Sequence, residues 1–282
     1  MDFAEGDRLD HVARTARWTA AERARESARP DRLFEDPLAE VLAGDQGRAL
    51  ATTMAGEEGG ENPWFAIRTR FYDDAITDSV NVRHAVAQVV SVAAGLDTRA
   101  FRLELPRELA WYELDRPDLL TLKDQVLTEA GAAARCARHP VGVDLADEWT
   151  GPLTAAGFDP TRPAVWLVEG LIFYLEPATV HRLLDDITRL AAPGSELLID
   201  TIGQSLLDSP HTQAFRDRLA REGTPWQFGT DRPEDELLEP RGWRSSVWLY
   251  SEIGSRLGRW PHPIVPRDTP GVPQSFLVHA TR

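Results

Sequence analysis

Between residues 88 and 202, short β-branched and apolar runs alternate with longer stretches whose apolar residues recur at helical spacing. The runs fall at 88–94, 110–114, 141–143, 164–168 and 195–202. The stretches between them predict helices near 97–104, at 117–130, at 147–156 and from Pro177 onward, where Val180, Leu183, Leu184, Ile187 and Leu190 share one face. Strands separated by helices cannot close as hairpins. They join through right-handed crossovers, so the chain should build a doubly wound, mostly parallel α/β sheet.

The flanks read differently. Residues 9–28 carry a small-residue face (Leu9, Val12, Ala13, Ala16, Ala20, Ala24) that ends at Arg29-Pro30. A short helix is expected at 38–42 after Asp36-Pro37, then a mobile loop from Ala55 to Gly60. From Trp64 to Val82, Trp64, Ile67, Phe71 and Ala75 fall on one helical face. At the other end, 247–251 and 276–280 read as strands separated by a Gly/Pro-rich stretch without helical period, which predicts a final antiparallel pair. No internal repeat or low-complexity linker interrupts the 282 residues.

Composition narrows the function. The formal net charge of −14 argues against a nucleic-acid surface. No run of 18 apolar residues offers a membrane span, and the acidic N-terminus MDFAEGDRLD lacks the apolar core of a secretion signal. A cytoplasmic protein is the expectation. The single cysteine, Cys136, can form no intrachain disulfide, and the seven histidines show no HxxH or HxH spacing, so no metal site is expected.

In an open α/β sheet, ligands sit beyond the carboxyl ends of the strands. The first run ends at Ala93-Ala94-Gly95, small enough for a ligand to touch backbone. The second ends at Asp115, 20 residues past Gly95, where a carboxylate can accept from both hydroxyls of a ribose. The third ends at Asp144-Leu145, which can pair a carboxylate and a backbone N–H with an adenine edge. The fourth ends at Glu169-Gly170, with Tyr174 just beyond. Each acidic residue alone could be an ordinary helix N-cap or loop residue. Four such strand ends in succession point to a nucleoside, and the lack of a Gly-rich or Lys-rich phosphate cradle favours one without phosphates. S-adenosylmethionine has that chemistry.

The segments VARTARWTAAERARE, RPDRLFEDPLAE, IRTRFYDD, VVSVAAGLDTRAFRL, WYELDRPDLLTLKDQVL, VGVDL and LVEGLIFYL resemble the leucine carboxyl methyltransferase family. They are most similar to its bacterial, actinobacterial-type branch of S-adenosylmethionine-dependent O-methyltransferases. The resemblance runs from about residue 11 to the C-terminus and thins after Gln204. It implies a class I methyltransferase fold: a seven-stranded Rossmann-like sheet with an antiparallel last strand and an N-terminal helical cap. Residues 1–84 would be the cap and 85–282 the cofactor-binding core of one integrated domain. By motif position the resemblance assigns cofactor contacts to Gly95, Asp115, Asp144, Leu145 and Glu169, and to an arginine of the stretch Ile67-Arg68-Thr69-Arg70. The family's turn is usually Gly-Ala-Gly. Ala93 replaces its first glycine, which places a methyl beside the cofactor tail; glycine at that position is expected to cost stability through backbone entropy.

Helical geometry separates the two arginines. With Trp64, Ile67, Phe71 and Ala75 facing inward, Arg68 lies within about 40° of the apolar face and Arg70 well off it. Arg68 is therefore expected to meet a carboxylate of cofactor or substrate, with Arg70 second; the plain alternative is a surface arginine paired with Asp73 or Asp74. Tyr174 can present a phenol to the acceptor or pack under the following helix. Arg14, Arg17 and Trp18 could line a lid or lie on a solvated face. No Ser/His/Asp or Cys/His set supports covalent catalysis.

The reading favoured is a small-molecule O-methyltransferase, of a natural-product pathway, with a carboxylate acceptor ahead of a hydroxyl. A nicotinamide dehydrogenase would also use Asp115, but the glycines and pyrophosphate cradle it needs are missing. A catalytically silent cofactor- or partner-binding module is the alternative of another class. The sequence leaves the oligomeric state open.

Overall fold

A computed structural model describes residues 5–55, 62–83, 85–269 and 271–282, with side chains described from residue 13 onward. The loop expected at 55–60 therefore falls, apart from Ala55, outside the described residues, as do the side chains of Leu9 and Val12.

Among these residues seven strands form one sheet: β1 (Gln88–Val92), β2 (Ala110–Asp115), β3 (Ala137–Gly142), β4 (Val165–Val168), β5 (Glu196–Ile202), β6 (Arg244–Leu249) and β7 (Ser275–Thr281). Their order is β3-β2-β1-β4-β5-β7-β6. Neighbours from β3 through β5 pair in parallel, with Val90 opposite both Tyr112 and Trp166. Strand β7 lies antiparallel between β5 and β6. Every residue of β1 and β4 is buried, as parallel strands covered on both faces require. The strand order reverses between β1 and β4, and that reversal opens the crevice where such folds hold ligands.

Among the described residues ten α-helices accompany the strands: α1 (Glu5–Ser27), α2 (Ala39–Ala55), α3 (Pro63–Thr77), α4 (Arg99–Arg102), α5 (Pro117–Glu129), α6 (Thr150–Ala155), α7 (Pro177–Leu190), α8 (Gln204–Asp208), α9 (Gln213–Arg221) and α10 (Tyr250–Arg256). Helix α7 buries Val180, Leu183, Leu184, Ile187 and Leu190 against one sheet face. Helix α3 buries Ile67, Tyr72 and Ile76 against the other. A third apolar cluster joins Trp18 of α1, Leu42 and Leu50 of α2, Leu96 and Leu219, and so lays α1, α2 and α9 over the strand ends.

Three boundaries depart from expectation. The helix expected at 38–42 runs on to Ala55, through a kink at Gly44 (φ 57°). Gly44 and Gly47 look like breakers, yet a Cβ at Gly47 would strike the backbone carbonyl of Arg17; glycine there lets α1 and α2 touch. Strand β3 begins at Ala137, four residues before the apolar run expected at 141–143. As an edge strand it tolerates Arg138, His139 and Pro140, with only Val141 buried. In the tail, the strand expected at 247–251 ends at Leu249, and the stretch read as lacking a helix contains α10. The Glu252 carboxylate accepts from the Leu249 N–H at 2.9 Å and starts that helix, which at seven residues is too short to show a helical period.

Candidate active site

The turn after β1 is fixed from below by β2. Ala94 N–H donates to the Leu114 carbonyl at 3.0 Å. Gly95 N–H donates to Asp115 Oδ2 at 2.7 Å, and Arg116 N–H to Asp115 Oδ1 at 2.7 Å. Asp115 is buried; burial pushes its carboxyl above the usual range, opposed by those two backbone donors. Each of its oxygens keeps lone-pair capacity for a further donor. Ala93 holds φ 54°, the one non-glycine residue at positive φ among the described residues.

Beside this turn a buried ionic lattice spans four elements. Glu169, at the end of β4, receives Arg68 Nε on Oε1 at 2.8 Å and Arg99 Nη1 on Oε2 at 2.7 Å. Burial would raise its carboxyl, but Arg99 and Arg68 outweigh that and hold it below the usual range. Arg99 also reaches Asp97 at 3.0 Å and Asp73 at 2.7 Å, and Arg102 clasps the same Asp73 at 2.6 Å. Arg68 Nη1 donates to Asp200 Oδ2 at 3.0 Å. Asp200 also accepts from Gly170 N–H at 2.7 Å and Tyr250 Oη at 3.1 Å; burial nonetheless raises its carboxyl. No acceptor among the described residues meets Arg68 Nη2. Gly170 (φ 67°) favours glycine on two counts: the conformation disfavours a Cβ, and a Cβ would crowd Arg68 Nη1 at 3.0 Å.

Two cavities meet at this lattice. The first, of about 380 Å³, is bounded by Ala93-Ala94-Gly95, Asp97, Asp115, Glu169 and Leu119. The second, of about 660 Å³, is walled by rings from across the chain: Trp18, Trp64, Phe65, Phe173, Phe215, Trp226, Tyr250 and Trp260. Thr15, Thr19, Arg68, Gly170 and Tyr174 line both.

Ala93, Gly95, Asp115, Glu169, Arg68 and Tyr174 thus stand around the first cavity. Arg70 does not: it pairs with Asp74 at 2.8 Å and donates to the Leu33 carbonyl at 2.8 Å. Asp144 is exposed and accepts from Ala146 N–H at 2.8 Å, while Leu145 packs on the core; neither borders the cavity. Trp18 is buried in the second cavity's wall, whereas Arg14 pairs with Glu222 and Arg17 donates to the Leu42 carbonyl, so both tie α1 to its neighbours. Sequence reasoning missed Asp200, although a carboxylate directly after the apolar run Leu197-Leu198-Ile199 of a strand is itself a signal. It also missed Glu22 on α1 and Tyr250 at the start of α10, together with His211, Trp226, Trp260 and His262, which line the second cavity from segments without periodic pattern.

Comparison with known proteins agrees with this architecture. The sequence pattern of the leucine carboxyl methyltransferase family matches residues 16–188. A protein of Parafrankia, provisionally named an S-adenosyl-L-methionine-dependent methyltransferase, is 40% identical over 257 residues, covering 88% of this chain and 82% of that protein. A Streptomyces coelicolor protein with the same provisional description is 38% identical over 272 residues, covering 89% and 88%. Among solved structures, one described as a methyltransferase of Thermobifida fusca, again provisionally, superposes with a TM-score of 0.60 at 19% identity, covering 91% of this chain and 96% of that one. A DUF574-family protein of Streptomyces avermitilis gives 0.62 at 16% identity, covering 91% and 98%. At those identities the structures speak for the fold alone, which is the class I methyltransferase fold. By sequence, the chain belongs to the leucine carboxyl methyltransferase family.

Proposed function

We propose that this protein is an S-adenosylmethionine-dependent O-methyltransferase that esterifies a carboxylate on a bulky, largely apolar small molecule. Family membership supports methyl transfer and the cofactor. The observation that carries the rest is the common wall of Arg68, Gly170 and Tyr174 between the strand-end cavity and the aromatic one. A cofactor on one side and an acceptor on the other would meet across that wall.

The residues present suit the cofactor. Asp115 keeps acceptor capacity for two ribose hydroxyls, and the turn at Ala93-Ala94-Gly95 exposes backbone beside it. Arg68 Nη2 suits the cofactor's carboxylate, and Glu169 would lie near its amino-acid tail. When bound, S-adenosylmethionine supplies a methyl group on a sulfonium, ready for in-line displacement. The chain's task is then to align and to exclude water. The aromatic walls would keep the acceptor dry, Tyr174 presents its phenol at the junction, and the described helices within 1–84 would serve as a cap over the core 85–282. An acceptor carboxylate is already ionised and needs no base.

His211 and His262 favour a second reading, because an imidazole on the acceptor cavity could take a proton from a hydroxyl. The pH profile separates the two. Methyl transfer to a panel of aromatic carboxylic acids and phenols should be followed at saturating cofactor from about pH 6 to 9. A carboxylate with a pKa near 4 stays ionised throughout, so its rate should be nearly flat. A phenol rate climbing about tenfold per pH unit, with no acid methylated, would defeat the carboxylate reading. Failure to bind S-adenosylhomocysteine would remove methyl transfer itself.

A further inference from the structure

The aromatic cavity meets its neighbours in two places. One is the junction at Arg68. At the other, Glu22, Asn62, Pro63, Trp260 and Pro261 also line an outer cavity of about 250 Å³. Glu22 stands at that neck, 7% exposed. Its Oε1 accepts from Trp18 Nε1 at 3.0 Å and from Arg25 at 3.2 Å. Its Oε2 meets no donor among the described residues.

The other charges at the neck are engaged. Arg259 pairs with Glu26 and Asp31, each at 3.1 Å, and Arg29 pairs with Asp31 at 2.9 Å. Arg25 is half exposed and leaves Glu22 only partly compensated. A buried carboxylate with a bare oxygen is costly unless something completes it. Burial accordingly pushes the Glu22 carboxyl above its usual range. The walls beside it are aromatic: Trp18 meets Phe65 edge-on at 5.0 Å, and Trp64 meets Trp260 edge-on at 5.3 Å. A carboxylate set among indoles is the chemistry that recognises an organic cation, through a charged hydrogen bond and ring faces.

We propose that Glu22 selects the methyl acceptor by binding a protonated amine at the end remote from the group that is methylated. The acceptor is then bipolar: carboxylate at the junction beside Gly170 and Tyr174, aromatic body along the cavity, ammonium at Glu22. This rests on the methyl-transfer reading for the direction of binding, but not for the existence of the amine site.

The test uses two probes of one shape, 4′-(aminomethyl)biphenyl-4-carboxylic acid and 4′-ethylbiphenyl-4-carboxylic acid. Calorimetry measures their binding to the full-length protein saturated with S-adenosylhomocysteine. The amine should bind about tenfold tighter than the ethyl compound, and Glu22→Gln, which keeps an acceptor for Trp18, should erase that preference. Arg25→Gln, at an exposed position, should strengthen amine binding severalfold and leave ethyl binding unchanged, so the proposal stands or falls even if Glu22→Gln does not fold. Equal affinities in the parent protein, a preference that survives in Glu22→Gln, or no binding of either probe would each overturn it. Methyl transfer is scored separately: an amine probe that shows the Glu22-dependent preference but is never methylated would count against the carboxylate reading and leave the amine site intact.

Discussion

Arg68 and Asp200, 132 residues apart in the chain, meet at 3.0 Å where the strand-end cavity adjoins the aromatic one. The contact joins helix α3 to strand β5, and Glu169 shares the same guanidinium at 2.8 Å. The arginine offsets two carboxylates, those of Glu169 and Asp200, and lines both cavities.

Removing one partner of such a pair leaves a buried charge uncompensated. Arg68→Met should lower unfolding free energy by about 3–5 kcal/mol at neutral pH in urea titrations. Adding Asp200→Asn should return part of that loss, with a coupling of about 1–3 kcal/mol in the double-mutant cycle. Strictly additive losses would show that the two residues are not an energetic unit.

Asp115 is expected to anchor the cofactor's ribose. Asp115→Ala should weaken S-adenosylhomocysteine binding by about 2–4 kcal/mol, roughly 30- to 1000-fold, as read by calorimetry. Because Asp115 also receives the Gly95 and Arg116 N–H groups, circular dichroism must confirm that the turn and fold persist. Unchanged affinity in a folded variant removes Asp115 from the site.

At Ala93 the structure reverses an expectation. Glycine there was expected to cost stability, but φ 54° is a conformation that costs an L-residue roughly 1–2 kcal/mol, against about 0.5–1 kcal/mol of added backbone entropy for glycine. Ala93→Gly should therefore hold or raise the melting temperature, and Ala93→Val should lower it. A clear loss of stability in the glycine variant would contradict the backbone assignment.

Acid should loosen the far end of the sheet. Glu196 is buried, and its carboxyl is lowered to about 2 because contacts with His279 (2.6 Å), Arg83 (2.8 Å) and Ser79 (2.8 Å) outweigh the cost of burial. A folded value below the unfolded one, near 4.5, gives stability that is fully present above about pH 4.5 and lost as pH falls toward 2. The shift corresponds to roughly 3 kcal/mol at most. The stability difference between the parent protein and Glu196→Gln should shrink across that window; a difference constant from pH 6 to pH 3 would refute the linkage.

What the sequence determined by itself was local. Alternating runs and helical periods set the parallel sheet and the faces of α3 and α7, because burial at a period of two or 3.6 residues leaves its mark along the chain. The same periodicity put Arg68 inward and Arg70 outward, as the structure has them. Only the tertiary structure decided the rest. It set Asp200 under Arg68, gathered Trp18, Trp226 and Trp260 around one cavity, and left Asp144 exposed away from the other. It also extended α2 through two glycines, because Gly47 is where α1 presses against it. Those outcomes depend on which elements touch across many tens of residues, and contacts of that range leave no period in the sequence.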